Sequence, residues 1–270
     1  RITRTTGNTF NSISATGNTF TWNGSSPTST ETNKTSPVLL TGTTFQYQGS
    51  AVTGFLVGLD GYLTFNTAFA SNLTSPLLGQ QSGGFANVDR CLAPFWANMS
   101  CTSLSQIKYK IDGTLGSGSA VITVEWDNMT GSGNPAANGN SDLTFQIKLF
   151  EADNHIEYNY GLMKAYDGSN QAQWSYACGM NGSFVTLYPA PGQVLALQEH
   201  YENTTNFTNE GVVTTNRGAN NLHTVPECYS SYKFEQLSPI AFVPGTGIPA
   251  NDDAVNAVTL IETASPPSDY

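Results

Sequence analysis

Charge is scarce in this chain. Only 11% of its 270 residues are Asp, Glu, Lys or Arg, against roughly 25% in ordinary soluble proteins. Lys and Arg number 10 against 20 Asp and Glu, giving a net charge of −10. Phosphate binding needs clustered Lys and Arg, so nucleic acid is excluded as a partner. The surplus carboxylates suit a soluble extracellular protein, and they could also recruit Ca2+. Helix formers are in short supply, and no segment keeps a 3.6-residue apolar period over several turns, which excludes a helical fold. No apolar run reaches the roughly 20 residues of a membrane helix, so no membrane span is expected.

Cysteine and histidine are equally sparse. Cys91, Cys101, Cys178 and Cys228 form no CxxC and no Cys/His pair at zinc spacing, which argues against a zinc site. An even number in a Thr/Asn-rich, lysine-poor chain is expected to make two disulfides in an oxidising compartment. Of the three pairings that four cysteines allow, Cys91 with Cys101 and Cys178 with Cys228 is favoured, because each closes a loop within one region. His155 lies in or beside a turn, and His200 and His223 lie in polar loops. No G-x-S-x-G elbow is present, and no catalytic residue is assigned to them. The sequence opens on Arg1 without an apolar leader, which suggests a mature secreted chain.

Thr, Ser, Asn and Gly fill the gap, as suits strands and turns. The central stretch is Ala120–Gly161. Ile122, Val124 and Trp126 alternate with Thr123, Glu125 and Asp127; Leu143, Phe145, Ile147 and Leu149 with Thr144, Gln146 and Lys148; Ile156, Tyr158 and Tyr160 with His155, Glu157 and Asn159. Each is the period-two pattern of a strand with one buried and one wet face. The EADNH turn makes the last two a hairpin. Upstream, Asp60–Gly61 between apolar alternations signals another hairpin, and Ser105–Ile111 a strand. Cys91–Trp96 reads as an apolar knot, with Pro94 barring a central-strand position. The TGNTF echo, at Thr6–Phe10 and Thr16–Phe20, reads as a hairpin of repeated strands. Downstream, Trp174–Gly179 and Phe184–Tyr188 read as strands around Asn181–Gly182, and Ser231–Phe234 with Pro239–Val243 as a last strand.

About ten or eleven strands without helices predict an all-β, two-sheet antiparallel β-sandwich, jelly-roll-like. It occupies residues 1–243, followed by a linker-like tail at 244–270 with one short strand.

Several landmarks stand in a familiar order. They are the Gly54–Phe65 hairpin, Ala93–Trp96, Ile107–Gly113, Val121–Asn128, Phe145–Gly161 and the Cys178–Gly182 turn. Together they resemble the β-sandwich modules near the N-termini of large secreted surface proteins of gliding-type Gram-negative bacteria, commonly exported by type IX secretion. The DGYLTF and APFW pieces are also similar to nidogen-like domains. The resemblance covers about residues 38 to 188. It implies an extracellular adhesive or structural role and carries no catalytic residues. The tail Pro249–Glu262 resembles the opening of a second jelly-roll module, but Ala254 stands where that family usually has Cys.

Candidate chemistry is thin. Glu125 and Asp127, two carboxylates at i and i+2 on a strand, face the same way as glycoside hydrolysis requires. The third acid of retaining jelly-roll glycosidases is replaced by Thr130, so a solvated strand face accounts for the pair. Asp60, Asp112 and Asp167 each precede Gly, and Asp252–Asp253 form an oxygen cluster that could hold Ca2+, although Asp-Gly is first a turn signal. Trp22, Trp174 and Tyr201 could stack on glycans, or pack in core and loops. Eight Asn-x-Ser/Thr sequons mark surface loops if the source glycosylates them. In the tail, Val258 and Leu260 alternate with Val255 and Ile261 as a strand that could add to the sheet edge of another copy. The expected function is a non-enzymatic adhesive or structural surface module whose partners are its own copies or extracellular glycans and proteins; the alternative is a carbohydrate-active protein.

Overall fold

A computed structural model describes residues 2–23, 34–68, 90–97, 99–131, 142–164, 176–181, 193–199, 207–214 and 226–235. The chain divides into Arg1–Gln236 and Leu237–Tyr270. The second unit lies outside the described residues, and with it the expected tail.

Every regular element among the described residues is a strand. In chain order they begin with β1 (Ile2–Thr5), β2 (Asn18–Thr19), β3 (Val38–Leu39), β4 (Gln46–Tyr47), β5 (Ser50–Ala51) and β6 (Gly54–Gly58). Then come β7 (Tyr62–Thr64), β8 (Cys91–Ala97), β9 (Met99–Ser100), β10 (Gln106–Asp112), β11 (Val121–Gly131) and β12 (Asp142–Phe150). The last are β13 (Ile156–Lys164), β14 (Tyr176–Asn181), β15 (Gln193–Glu199), β16 (Phe207–Thr214) and β17 (Ser231–Phe234). These 17 exceed the expected number because several are two residues long, too short to show an alternation.

They form an eight-stranded sheet, ordered β1-β17-β13-β12-β11-β10-β2 with β9 on the end of β11, and a seven-stranded sheet, ordered β16-β15-β14-β8-β7-β6-β3. β4 and β5 make a separate ribbon. The fold is an all-β sandwich. No described helix is long and apolar enough to cross a membrane. Phe184–Tyr188 and Pro239–Val243 lie outside the described residues; among those described, β14 pairs with β15 and β8.

The first sheet presents Ile122, Val124, Trp126, Phe145, Ile147, Leu149, Tyr158 and Tyr160 to the interior, as the alternation predicts, and all are buried. Trp126 stacks on Phe145 with centroids 5.1 Å apart, and Phe95 of β8 meets Phe145 from the other sheet at 5.8 Å. Three aromatic side chains cross the core and donate to carbonyls of the second sheet. Trp126 Nε1 donates to Gly58 at 3.0 Å, Tyr158 Oη to Gly179 at 2.6 Å and Tyr160 Oη to Pro94 at 2.8 Å. Buried N–H and O–H groups need such partners, so each brace fixes a ring and the distance it spans.

Two sequence expectations are corrected. Pro94 does not bar its segment from a central strand: β8 lies between β7 and β14. The β8–β14 register slips between Ala177 and Gly179, so Pro94 and Phe95 oppose Cys178 in a bulge, where a residue without an N–H is tolerated. The TGNTF copies do not form a hairpin. The second supplies β2, paired with β10, whereas β1, just before the first copy, pairs with β17 at the opposite edge.

The Asp60–Gly61 hairpin between β6 and β7 is present. Gly61 sits at φ +84°, and a Cβ there would lie 2.0 Å from the Phe95 carbonyl oxygen. Gly61→Ala is therefore expected to cost about 4 kcal/mol, because it adds left-handed strain to a backbone clash. A chemical denaturation midpoint unchanged from that of the unaltered protein would refute this.

Candidate functional site

The polar face of the eight-stranded sheet holds most of the candidate chemistry, and the chain covers part of it with its own N-terminal segment. β1 lies at one edge and β2 at the other. Residues 6–17 must therefore bridge six inter-strand gaps, about 29 Å at 4.8 Å each, within the reach of a 12-residue segment, roughly 40 Å. The contacts step across the strands in order. The Asn8 amide N–H donates to the Tyr229 carbonyl at 2.7 Å, and its side chain to Ser231 Oγ of β17 at 2.6 Å. Phe10 rests on Gly161 of β13, where a Cβ would come 3.1 Å from the ring. The Asn11 carbonyl accepts from Gln146 Nε2 of β12 at 2.9 Å. Ser12 and Ile13 bind Glu125 of β11. Gly17 closes over Lys108 of β10, with room for no Cβ.

Glu125 is the anchor. Ser12 Oγ donates to its Oε1 at 2.6 Å, the Ile13 N–H to Oε2 at 2.8 Å, and Gln146 Nε2 to Oε2 as well. The expectation of a solvated face is corrected here: Glu125 and Gln146 are both 0% exposed. Cross-strand pairing had already set Gln146 opposite Glu125, and the strap then shut out water. Asp127 does share the face of Glu125 and is half-buried. Burial pushes its carboxyl above the ordinary range, and the charge of Glu125 adds to this, while the Thr144 hydroxyl, donating at 3.2 Å, works the other way. With Glu125 enclosed, no sugar ring reaches it in this structure. Thr130, where a third acid was sought, is buried in β11 opposite Ser100.

A second buried carboxylate, Glu151, was not singled out from the sequence. It follows β12 and accepts from Thr43 Oγ1 at 2.7 Å, the Thr44 N–H at 3.0 Å, the Gly116 N–H at 2.9 Å and the Gly118 N–H at 3.2 Å. Burial pushes its carboxyl upward, but the hydrogen bonds from Gly116, Thr43 and Thr44 outweigh it and hold the group at about 2. The two glycines, at φ +82° and +76°, were the available signal. They let the 113–119 turn aim its N–H groups inward.

The other candidates have structural surroundings. His155 stacks on Phe150 with centroids 3.9 Å apart, and its ring nitrogens contact Asp153 and, at 3.5 Å, Glu157. Asp60 Oδ1 accepts from the Met99 N–H at 3.2 Å, and Asp112 pairs with Lys110 at 2.6 Å. Trp22 packs edge-on against Phe20 and bridges to Thr35. No group of three His, Cys, Asp or Glu among the described residues could hold a metal ion. Asp167, Trp174, Tyr201, Asp252, Asp253, Val255, Val258, Leu260 and Ile261 lie outside the described residues.

The expected disulfides are absent: Cys91, Cys101, Cys178 and Cys228 are all free thiols. β8 carries the chain away from Cys91 by about 20 Å, and β9 then joins the other sheet beside Gly131, so Cys101 cannot come within the 4.4–6.8 Å Cα separation of a bridge. Cys178 is buried with its Sγ donating to the Pro94 carbonyl at 2.7 Å. Cys228 is held elsewhere, its Sγ accepting from the Met163 N–H at 3.3 Å.

A family model described as NIDO related matches residues 1–236. The chain belongs to the NIDO-related family. No curated protein and no solved structure matches it. The NIDO-related match covers the strap, both sheets and β17, and ends at the division between the two units.

Two outcomes follow for this NIDO-related domain. Glu125→Ala strands the buried donors of Ile13 and Gln146 and removes the partner of the exposed Ser12 hydroxyl. It is expected to cost about 3 kcal/mol, with the Ile13 amide losing most of its hydrogen-exchange protection, and retention of that protection would remove Glu125 as the anchor. Glu151 has a depressed folded-state pKa, so its contribution is complete above the unfolded value near 4.5 and is lost as pH falls towards about 2. Stability measured between those limits should drop in the unaltered protein and drop less in Glu151→Gln.

Proposed function

We propose that this chain is a non-enzymatic structural or adhesive module that acts outside the cell and takes part in an extracellular assembly by strand addition. One observation carries this above the enzymatic alternative: the strongest acid pair on the sheet, Glu125 with Asp127, has its Glu consumed in holding the chain's own N-terminal segment. A glycosidase needs both carboxyls flanking a sugar, one of them ready to donate a proton. Membership of the NIDO-related family and the net charge of −10 support an extracellular setting. The resemblance to secreted bacterial surface modules supports type IX export as the finer version. Strand addition by the tail, through Val255, Val258, Leu260 and Ile261, remains part of the proposal, with other copies or surface glycans and proteins as partners.

Neither the unaltered protein nor Glu125→Gln/Asp127→Asn is expected to release reducing ends from a panel of polysaccharides. Cleavage that vanishes in the variant while circular dichroism is unchanged would overturn the non-enzymatic function. Electron microscopy of concentrated protein should show assemblies, and uniform single particles would remove that arm.

A further inference from the structure

We infer that the N-terminal strap is exchangeable between copies, so that Ile2–Ile13 of one molecule can lie across the sheet of a second copy of this chain. The inference deepens the assembly function above, on which it rests, by naming the segment that passes between subunits. Three observations carry it.

The strap is held by hydrogen bonds more than by apolar burial. Between Thr3 and Thr19 one apolar side chain, Ile13, is buried, and Phe10 is half-buried. The face beneath is polar, with Gln146, Glu125 and Lys108 along its track. The main core lies on the opposite side of the sheet, around Trp126 and Phe145. Lifting the strap thus wets groups that water can solvate and leaves the sandwich interior closed. Segments with few buried apolar contacts open at the low end of a protein's stability range.

The same strap supplies β1, which covers the β17 edge of the sheet. When it lifts, β17 loses the four-residue register Ile2↔Phe234 to Thr5↔Ser231, and an unpaired edge with alternating buried Tyr232 and Phe234 invites a strand. An identical segment from another copy reproduces the whole set of contacts, including the Glu125 anchor, so exchange is nearly neutral in energy and favoured by concentration.

A fastening point and a hinge are in place. Phe20 is buried in the core cluster, against Phe55 and Tyr109. The turn before it, with the Thr16 and Gly17 N–H groups donating to the Ile13 carbonyl, is where the chain changes direction. β2 can stay on β10 while the residues before that turn swing outward past β10 and β2.

The test uses the full chain. Thr3 and Lys233 are register partners in β1 and β17. Single variants Thr3→Cys and Lys233→Cys are mixed at the concentration that gives assemblies and then oxidised, and the linkage is mapped by mass spectrometry to the peptides carrying the two substitutions. The double variant, oxidised when dilute, reports the link within one chain and controls for folding. A linked heterodimer whose proportion rises with concentration is expected. Internal linkage in the double variant with no linked heterodimer in the mixture would overturn the exchange. If assemblies are visible in that same mixture, the exchange alone fails; if none forms, the assembly function fails with it.

Discussion

Three hydrogen bonds across the interior set the spacing of the sandwich, and much else follows from them. Trp126, Tyr158 and Tyr160 each reach from the first sheet to a backbone carbonyl of the second. An aromatic ring supplies large apolar area, but its polar tip must be satisfied when buried. A carbonyl oxygen has two lone pairs, so each receiving carbonyl can take a brace beside another donor. Pro94 lies at a bulge in β8, and its carbonyl takes both the Tyr160 hydroxyl and the Cys178 thiol. The Gly58 carbonyl takes the Trp126 N–H beside that of Gly61, at 3.3 Å, at the mouth of the hairpin, where a Cβ would collide with the Tyr62 ring at 2.0 Å. The irregular positions of the second sheet are thus the seats of the first sheet's aromatic groups.

The buried acids follow the same rule from outside the core. Glu125 and Glu151 each gather donors from segments remote in sequence, Ser12 and Ile13 for the one, Thr43, Thr44, Gly116 and Gly118 for the other. A carboxylate can take several N–H and O–H groups at once, so each gathers loop backbone that would otherwise lie unpaired. In a chain with so few charges, these two have become fasteners.

The central meander was legible because β10 to β13 keep a two-residue alternation over most of their length, with large apolar groups on one side. The Asp60–Gly61 and EADNH turns were legible from their own chemistry. The strap was not. Asn11, Ser12 and Ser14 carry no apolar period, and their contacts lie more than a hundred residues away, Ile13 to Glu125 across 112 and Asn11 to Gln146 across 135. The polar face of β11 and β12 looked wet for the same reason: alternation says which side of a strand is polar, and nothing about what later lies on it. Pro94 misled because a bulge depends on the partner strand, and the even cysteine count misled because spacing along a chain says little about which way an extended strand carries a thiol.

The placement of β1 has a consequence for how the molecule is made. Asn8, just past β1, bonds to Ser231, 223 residues further on, so a ribosome must finish almost the whole domain before the first strand has anywhere to go. Until then β1 has no host strand in its own chain. Non-local pairings of this kind are slow to form, so in that interval the β17 edge of a completed copy is the first that β1 can meet. The order of synthesis thus hands the N-terminal strand a choice of host.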